Sequence, residues 1–300
     1  QIERIVPWGE WIKLIRPHYY KGERGNKPYD LERMLRIYLV QNLYDLSDMA
    51  AVAEVIDSRA FSEFCGVESS NQVPDGDTLG RFRNLLLRSG LQEKLFAQVV
   101  YLLQERGLLL KKGTIVDSTL IAAPSSTKNR EKKRDPEAHS VKKGNSWYFG
   151  YKAHIGVDRD SGLVHTVQVT SANIHDVTMI SSLLSGEEDS VYGDSGYLGA
   201  EKREDAVLFN AQGKRIRYKI NRRPSQSKHA DNRSRGQIKR REKEKSSVRA
   251  KVEHVFGVVK GQLRYRKTRY RGLRKQIAKL NILFALANLI LADRRSCLTA

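Results

Sequence analysis

"TIVDSTLIAA", Thr114 to Ala123, decides the fold. Ile115, Val116, Leu120 and Ile121 read as a β-strand, and a carboxylate, Asp117, stands at its centre. An aspartate there is unfavourable unless it meets an edge, a cap or a metal. Forward of it, "SWYFGYKAHIGVD" (146–158) and "GLVHTVQVTSA" (162–172) read as two strands joined by the turn "DRDSG". "HDVTMISSLL" (175–184) reads as helix, "SVYGDSGYLG" (190–199) as a short strand entering a glycine turn, "EKREDAVLFNAQ" (201–212) as helix and "RIRYKI" (215–220) as strand. Two helices, about Ser246 to Arg264 and Leu273 to Ala292, close the chain. Strands followed by alternating helices and strands imply a mixed sheet covered by helices.

Backward of Thr114 the texture is helical. "YDLERMLRIYLVQNLYDLSDMAAVAEVI" (29–56) carries Leu31, Leu35, Leu39, Leu43 and Leu46 at spacings of three and four, one face of a helix. "PDGDTLGRFRNLLLRSG" (74–90) opens on turn residues and stops at Gly90, and a helix from Leu91 to Arg106 closes at Gly107. Such a helical module reads DNA in some proteins and only packs or dimerises in others. The expected class is α/β: a small all-helical domain over 1–110, then a mixed-sheet domain over 111–300. Lys128 to Lys143 is expected as a loop between the first two strands. Asn221 to Lys245, basic and poor in apolar residues, is expected as a linker that orders against DNA.

The formal net charge of +20 is concentrated in one segment. Residues 1–213 hold 27 lysines and arginines against 29 acids, whereas residues 214–279 hold 25 against 4. A block this dense is the footprint of a polyanionic partner, nucleic acid ahead of acidic lipid, or else a solvated tail. Apolar spacing on both sides of it argues against a mere tail. Cys65 and Cys297 provide neither a zinc knuckle nor a disulfide framework. No charged-then-apolar leader opens the chain, and the apolar run Ile282 to Ala292 is interrupted by Asn288 and short for a bilayer. A soluble cytoplasmic protein with no membrane partner is expected. The first residue is Gln1 rather than Met, so residues are expected to precede it.

Three carboxylates carry the chemistry. Asp117 and Asp194 follow apolar runs and read as carboxylates at strand ends, projecting towards one end of the sheet. Glu253 is the sole acidic residue between Lys245 and Asp293 and would come from a helix packed nearby. Three hard oxygen ligands suit Mg²⁺ or Mn²⁺ and fit a two-ion arrangement for attack on a phosphodiester. Each also has an ordinary reading: Asp117 caps a turn, Asp194 shapes one, and Glu253 pairs with Arg249 four residues before it. Positions 249, 253 and 260 fall on one ridge of a continuous helix, which lets Glu253 face metal while Arg249 and Lys260 grip phosphates. Arg240, Arg241 and Lys243, in the basic stretch, are further candidate phosphate contacts. His139, His154, His165, His175 and His254 lack zinc-ligand spacing and are taken as structural or solvent residues. Trp147 and Tyr148 either stack on a displaced base near the site or, as strand aromatics commonly do, pack in the sheet core.

These residues resemble the DDE transposases of bacterial insertion sequences, in particular the group named after the fifth insertion sequence. The resemblance runs from "VPWGEWIKLIRPHYYKGERG" through "TIVDSTLIAAPSSTKNREKKRDPE", "KKGNSWYFGYKAHIGVD" and "GDSGYLGAEKR" to "RAKVEHVFGVVK" and "RYRGLRKQIAKLNILFALANL". It implies a ribonuclease-H-like catalytic domain with Asp117 on its first strand, Asp194 ending its fourth, and Glu253 as the closing glutamate. The family's helix signature is Tyr, two residues, Arg, three residues, Glu, six residues, Lys. Arg249, Glu253 and Lys260 match it, while Ser246 holds the tyrosine position. The resemblance further implies cutting at terminal inverted repeats with water and Mg²⁺, then joining of the freed 3′-hydroxyl to target DNA. The helical part would bind the repeats, and a homodimer or higher oligomer would form on the DNA, at the bacterial nucleoid. Competing readings are a DNA-binding relative without activity and a metal nuclease that cuts but does not join.

Overall fold

In the computed structural model, which describes residues 1–22, 27–223 and 232–295, Asp117 lies on an interior strand of a six-stranded mixed sheet. The strands are β1 (Gly113–Ala122), β2 (His139–Lys143), β3 (Ser146–Asp158), β4 (Val164–Ser171), β5 (Ser190–Gly193) and β6 (Arg217–Ile220). β3 runs antiparallel to β1, β2 and β4, whereas β1, β5 and β6 run parallel. Short parallel strands need cover on both faces, and all four residues of β5 are buried. Val116 and Val191 pack there with Ile180, Leu183, Tyr197 and Ile220.

β3 pairs with β1 from Gly150 to Asp158 and with β2 from Ser146 to Gly150. Glycine is required at the hand-over: a Cβ on Gly150 would lie 2.1 Å from the Ile121 carbonyl oxygen and 2.8 Å from the Ala123 nitrogen.

The helices are α1 (Ile2–Ile5), α2 (Trp8–Ile15), α3 (Leu31–Leu43), α4 (Asp48–Asp57), α5 (Arg59–Cys65), α6 (Gly76–Arg88), α7 (Leu91–Glu105), α8 (Ile180–Leu183), α9 (Asn232–Gly257) and α10 (Leu273–Arg294). Asp30 caps α3 by accepting from the Arg33 N–H at 2.9 Å, and Asp75 caps α6 through Thr78 at 2.6 Å. The leucine row holds through Leu31, Leu35 and Leu39, all buried. It then breaks, because Asp45 turns left-handed (φ 50°) and Ser47 caps a new helix through Ala50, leaving Leu46 in the connection. α10 is long and apolar enough to cross a membrane by composition, but 89% of its apolar window is buried inside the protein, as in a core helix.

Two compact units result. One comprises Gln1–Tyr101, Val259–Tyr265 and the chain from Arg274 onward; the other comprises Leu102–Val258 and Arg266–Leu273. The helical unit therefore takes the last helix, whereas the sequence divided the chain once, at residue 110.

Four local expectations are corrected. Residues 201–212 form no α-helix: Ala200–Lys202 is a single 3₁₀ turn, and irregular chain follows to an isolated bridge between Phe209 and Arg215. The run "EKRED" offers no apolar face to bury, and Phe209 is exposed. The expected loop 128–143 ends in β2. Of the expected linker 221–245, residues 224–231 lie outside the described residues, and α9 begins at Asn232. Lys, Arg, Gln and Glu are strong helix formers, and Arg240 pairs with Glu244 one turn on at 3.4 Å. Finally, α9 passes into a π-helical turn, Val258–Gln262, so the 3.6-residue ridge does not extend to Lys260.

Candidate active site

Asp117 and Asp194 come together through the parallel pairing of β1 with β5. Ile115 is the partner of Tyr192; Asp117 stands two residues further along β1, and Asp194 two residues further along the other chain segment, just past the end of β5. Asp194 directly follows β5, and its Oδ1 accepts the Gly196 N–H at 2.8 Å, capping the turn Ser195–Tyr197. Asp117 Oδ1 accepts the Ser118 N–H at 2.8 Å, and its Oδ2 faces Arg249 Nη2 at 3.4 Å. Burial raises the Asp117 pKa above the usual carboxylate range. The Ser118 N–H and Arg249 oppose the rise, and the Asp194 charge adds to it.

Arg249 reaches Asp117 from α9 and also donates to Asn221 Oδ1 at 3.2 Å. Asn221 in turn donates to Ser246 Oγ at 3.3 Å, so the serine at the tyrosine position is tied to the arginine through one amide. The guanidinium expected to grip phosphate is therefore part-buried against a carboxylate. Glu253 stands one turn further along α9 with its side chain exposed. Among the described residues no three His, Cys, Asp or Glu side chains gather closely enough to hold a metal ion. The aspartates form a pair, and Glu253 is not drawn into it. Arg240, Arg241 and Lys243 lie exposed on α9, and Lys260 lies in the π-helical turn within the helical unit.

A third carboxylate, which the sequence reading did not single out, flanks the pair. Asp176 follows β4, and its Oδ1 accepts Lys152 Nζ at 3.0 Å; the same ammonium donates to the Ile174 carbonyl at 2.7 Å. His154, wholly buried beside it on β3, has Nδ1 3.7 Å from that oxygen and Nε2 2.9 Å from Thr170 Oγ1. Burial pushes the His154 pKa down to about 4; Asp176 opposes this and Lys152 assists it. Tyr197, fully buried, has a hydroxyl without a hydrogen-bond partner among the described residues. Its pKa is raised by burial first and then by the charges of Asp176, Asp117 and Asp194. The available signal was a lysine and a histidine two apart in the otherwise apolar strand "GYKAHIGV", where alternation turns both to one face.

Two adjacent hard-oxygen donors, one of them desolvated and faced by a guanidinium only at 3.4 Å, suit a divalent cation. Trp147 and Tyr148 do not pack in the sheet core. They are 70% and 42% exposed on the β2–β3 ribbon, eight and seven residues along β3 from Ile155, the partner of Asp117.

Residues 109–289 match the family model described as "Transposase DDE domain", and residues 1–85 match "Transposase domain (DUF772)". The fold is similar to that in a cryo-EM structure of a piggyBac transposase synaptic complex with hairpin DNA. The TM-score is 0.50 at 12% identity, over 98% of this chain and 72% of that one. The architecture is thus ribonuclease-H-like, a mixed sheet flanked by helices and preceded by a helical region.

Proposed function

The chain belongs to the DDE-domain transposases, whose members generally use divalent metal ions, and we propose that it is an insertion-sequence transposase of the group named after the fifth insertion sequence. In this reading it binds the element's terminal inverted repeats, cuts there, and joins the freed 3′-hydroxyl to target DNA. It would work as a homodimer or higher oligomer on double-stranded DNA at the bacterial nucleoid. The observation that carries the proposal is the placement of Asp117 midway along β1 and Asp194 just past the end of the parallel strand β5, with Arg249 of α9 against Asp117.

Asp117 and Asp194 would hold Mg²⁺ or Mn²⁺, and Glu253 would complete the site when DNA is bound. Bound ions, two in the reading favoured here, supply charge neutralisation and a more nucleophilic oxygen. The protein's own part is positioning. The 3₁₀ turn after β5 fixes Asp194, the Ser118 N–H fixes Asp117, and Asn221 orients Arg249 beside the reacting phosphate. Arg240, Arg241 and Lys243 would lie along the duplex backbone, and Lys260 would contact phosphate from the helical unit.

Asp117→Asn, Asp194→Asn and Glu253→Gln should each abolish metal-dependent cleavage of end DNA while leaving thermal stability and DNA binding near parental. Cleavage and joining of a pre-cut end are measured separately. A stable variant that still cuts at near-parental rate removes its residue from the site. The exposed position of Glu253 favours one alternative, a DNA-binding relative without activity, and a parent chain that binds ends yet cuts nothing would establish it. Cutting without joining would mark a nuclease.

A further inference from the structure

The β2–β3 ribbon has a composition that the fold itself does not require. From His139 to Tyr148 every residue is exposed except Val141, which is half-buried. The ribbon nevertheless carries the most exposed large hydrophobic side chain among those described, Trp147, followed by Tyr148. Leaving an indole in water forgoes burial that a polar residue would not need. Register pairs Trp147 with Lys142 and Tyr148 with Val141, and directly opposed residues share a face. One face thus sets an indole beside an ammonium. No acidic residue occurs between Ala138 and Val157, and Lys142 and Lys143 flank the turn. Arg134 lies over the Phe149 ring at 5.5 Å, adding a third cation at the ribbon's base.

A two-stranded ribbon has the width of the DNA major groove, and apolar contacts with base edges combined with lysine contacts to phosphate are how such ribbons bind. Position sets the scale. Eight residues of β3 separate Trp147 from Ile155, the partner of Asp117; at about 3.3 Å per residue this is about 26 Å. At about 3.4 Å per base pair the span equals about eight base pairs.

We infer that the ribbon is a second DNA contact, which enters the major groove about eight base pairs from the bond cut at Asp117, with Trp147 against base edges and Lys142 and Lys143 on the flanking phosphates. It is too distant to stack on a base displaced at the cleavage point. The inference rests on the transposase reading.

The test replaces Trp147 in the full chain with the photo-crosslinker benzoylphenylalanine. The protein is irradiated, without divalent metal, on duplexes carrying the element's ends. Crosslinks should cluster about eight base pairs from the cut position. Crosslinks at the cut itself, or spread evenly along the duplex, would overturn the inference. In parallel, Trp147→Ala should weaken end binding about tenfold with no change in salt dependence. Lys142→Ala with Lys143→Ala should reduce the slope of log affinity against log salt by about two. Parental affinity and slope in both variants, with the parent binding and cutting ends, would remove the ribbon from the DNA and leave the transposase reading intact. A parent that binds no duplex would instead remove the transposase reading, and the ribbon's role with it.

Discussion

Replacing His165 by glutamine should take about 2 kcal/mol of acid sensitivity out of the sheet domain. His165 is buried on β4, with Nε2 3.0 Å from Thr114 Oγ1 and Nδ1 2.9 Å from Thr166 Oγ1. Thr114 gives its own proton to Glu188 at 2.8 Å, so the ring donates from Nε2 and accepts from Thr166 at Nδ1. This is a neutral imidazole. Burial pushes its pKa down to about 4; Glu188 and Asp158 oppose the fall, and Lys111 assists it. The unfolded chain therefore binds a proton near pH 6.5 that the native state refuses until about pH 4. Stability is complete above the unfolded value and drains as pH falls through this window. The loss is about 2 kcal/mol at pH 5 and about 3.4 kcal/mol below the folded value. Glu188 does not confuse the measurement. Burial raises its pKa, but hydrogen bonds from Ser185 and Thr114 outweigh that and leave it lowered, so its contribution is lost only below the ordinary glutamate range. Glutamine keeps a donor and an acceptor but never ionises. Native-state hydrogen exchange of β1 and β4 amides, corrected for intrinsic rates, should show the parent losing about 2 kcal/mol more than His165→Gln between pH 8 and pH 5. Equal losses in the two proteins would refute the reasoning.

Lys152→Met should cost about 1–3 kcal/mol, because it strips Asp176 and the Ile174 carbonyl of a donor. Adding Asp176→Asn should recover part of it, and strict additivity in thermal melts would deny the coupling. Replacing Arg240, Arg241 and Lys243 with Ala should flatten the salt dependence of binding to any duplex, whatever its sequence, and an unchanged slope would take α9's exposed half off the DNA.

How far the sequence reached follows from what each signal depends on. Strand periodicity, caps and glycine stops are local, so β1, β3, β4, α6 and α7 are legible in the text alone, whereas Asp117, read as standing at a strand end, lies midway along β1. The pairing of Asp117 and Asp194 is a matter of register between strands far apart in sequence, which no local pattern fixes. Asp176 was missed because its significance comes from Lys152 and Tyr197, both remote in the chain. The core position weighed for Trp147 failed on a different ground: strand propensity reports fit to a pleated surface, not whether anything covers that surface. Likewise, a charge-rich stretch reads as linker by composition, yet its residues favour helix, and α9 runs through it.

Arg249 and Glu253 are spaced as an ordinary helix ion pair, an arrangement worth a few tenths of a kcal/mol. The fold sends the guanidinium to Asp117 and Asn221 instead, leaving the glutamate exposed. Counting formal charges at the sheet ends, Lys152 balances Asp176, and Arg249 is one cation for the two aspartates. One negative charge is thus left over beside α9. On the transposase reading, phosphate drawn in by the basic segment would meet repulsion at the aspartates unless a cation were there, and the cation would in turn gain a second anionic partner from the phosphate. By linkage, whatever factor the metal adds to DNA affinity, DNA must add to metal affinity. On the transposase reading, the basic segment and the acidic pair would act as one device: a cation would be held more tightly once DNA is bound, and DNA more tightly once the cation is present.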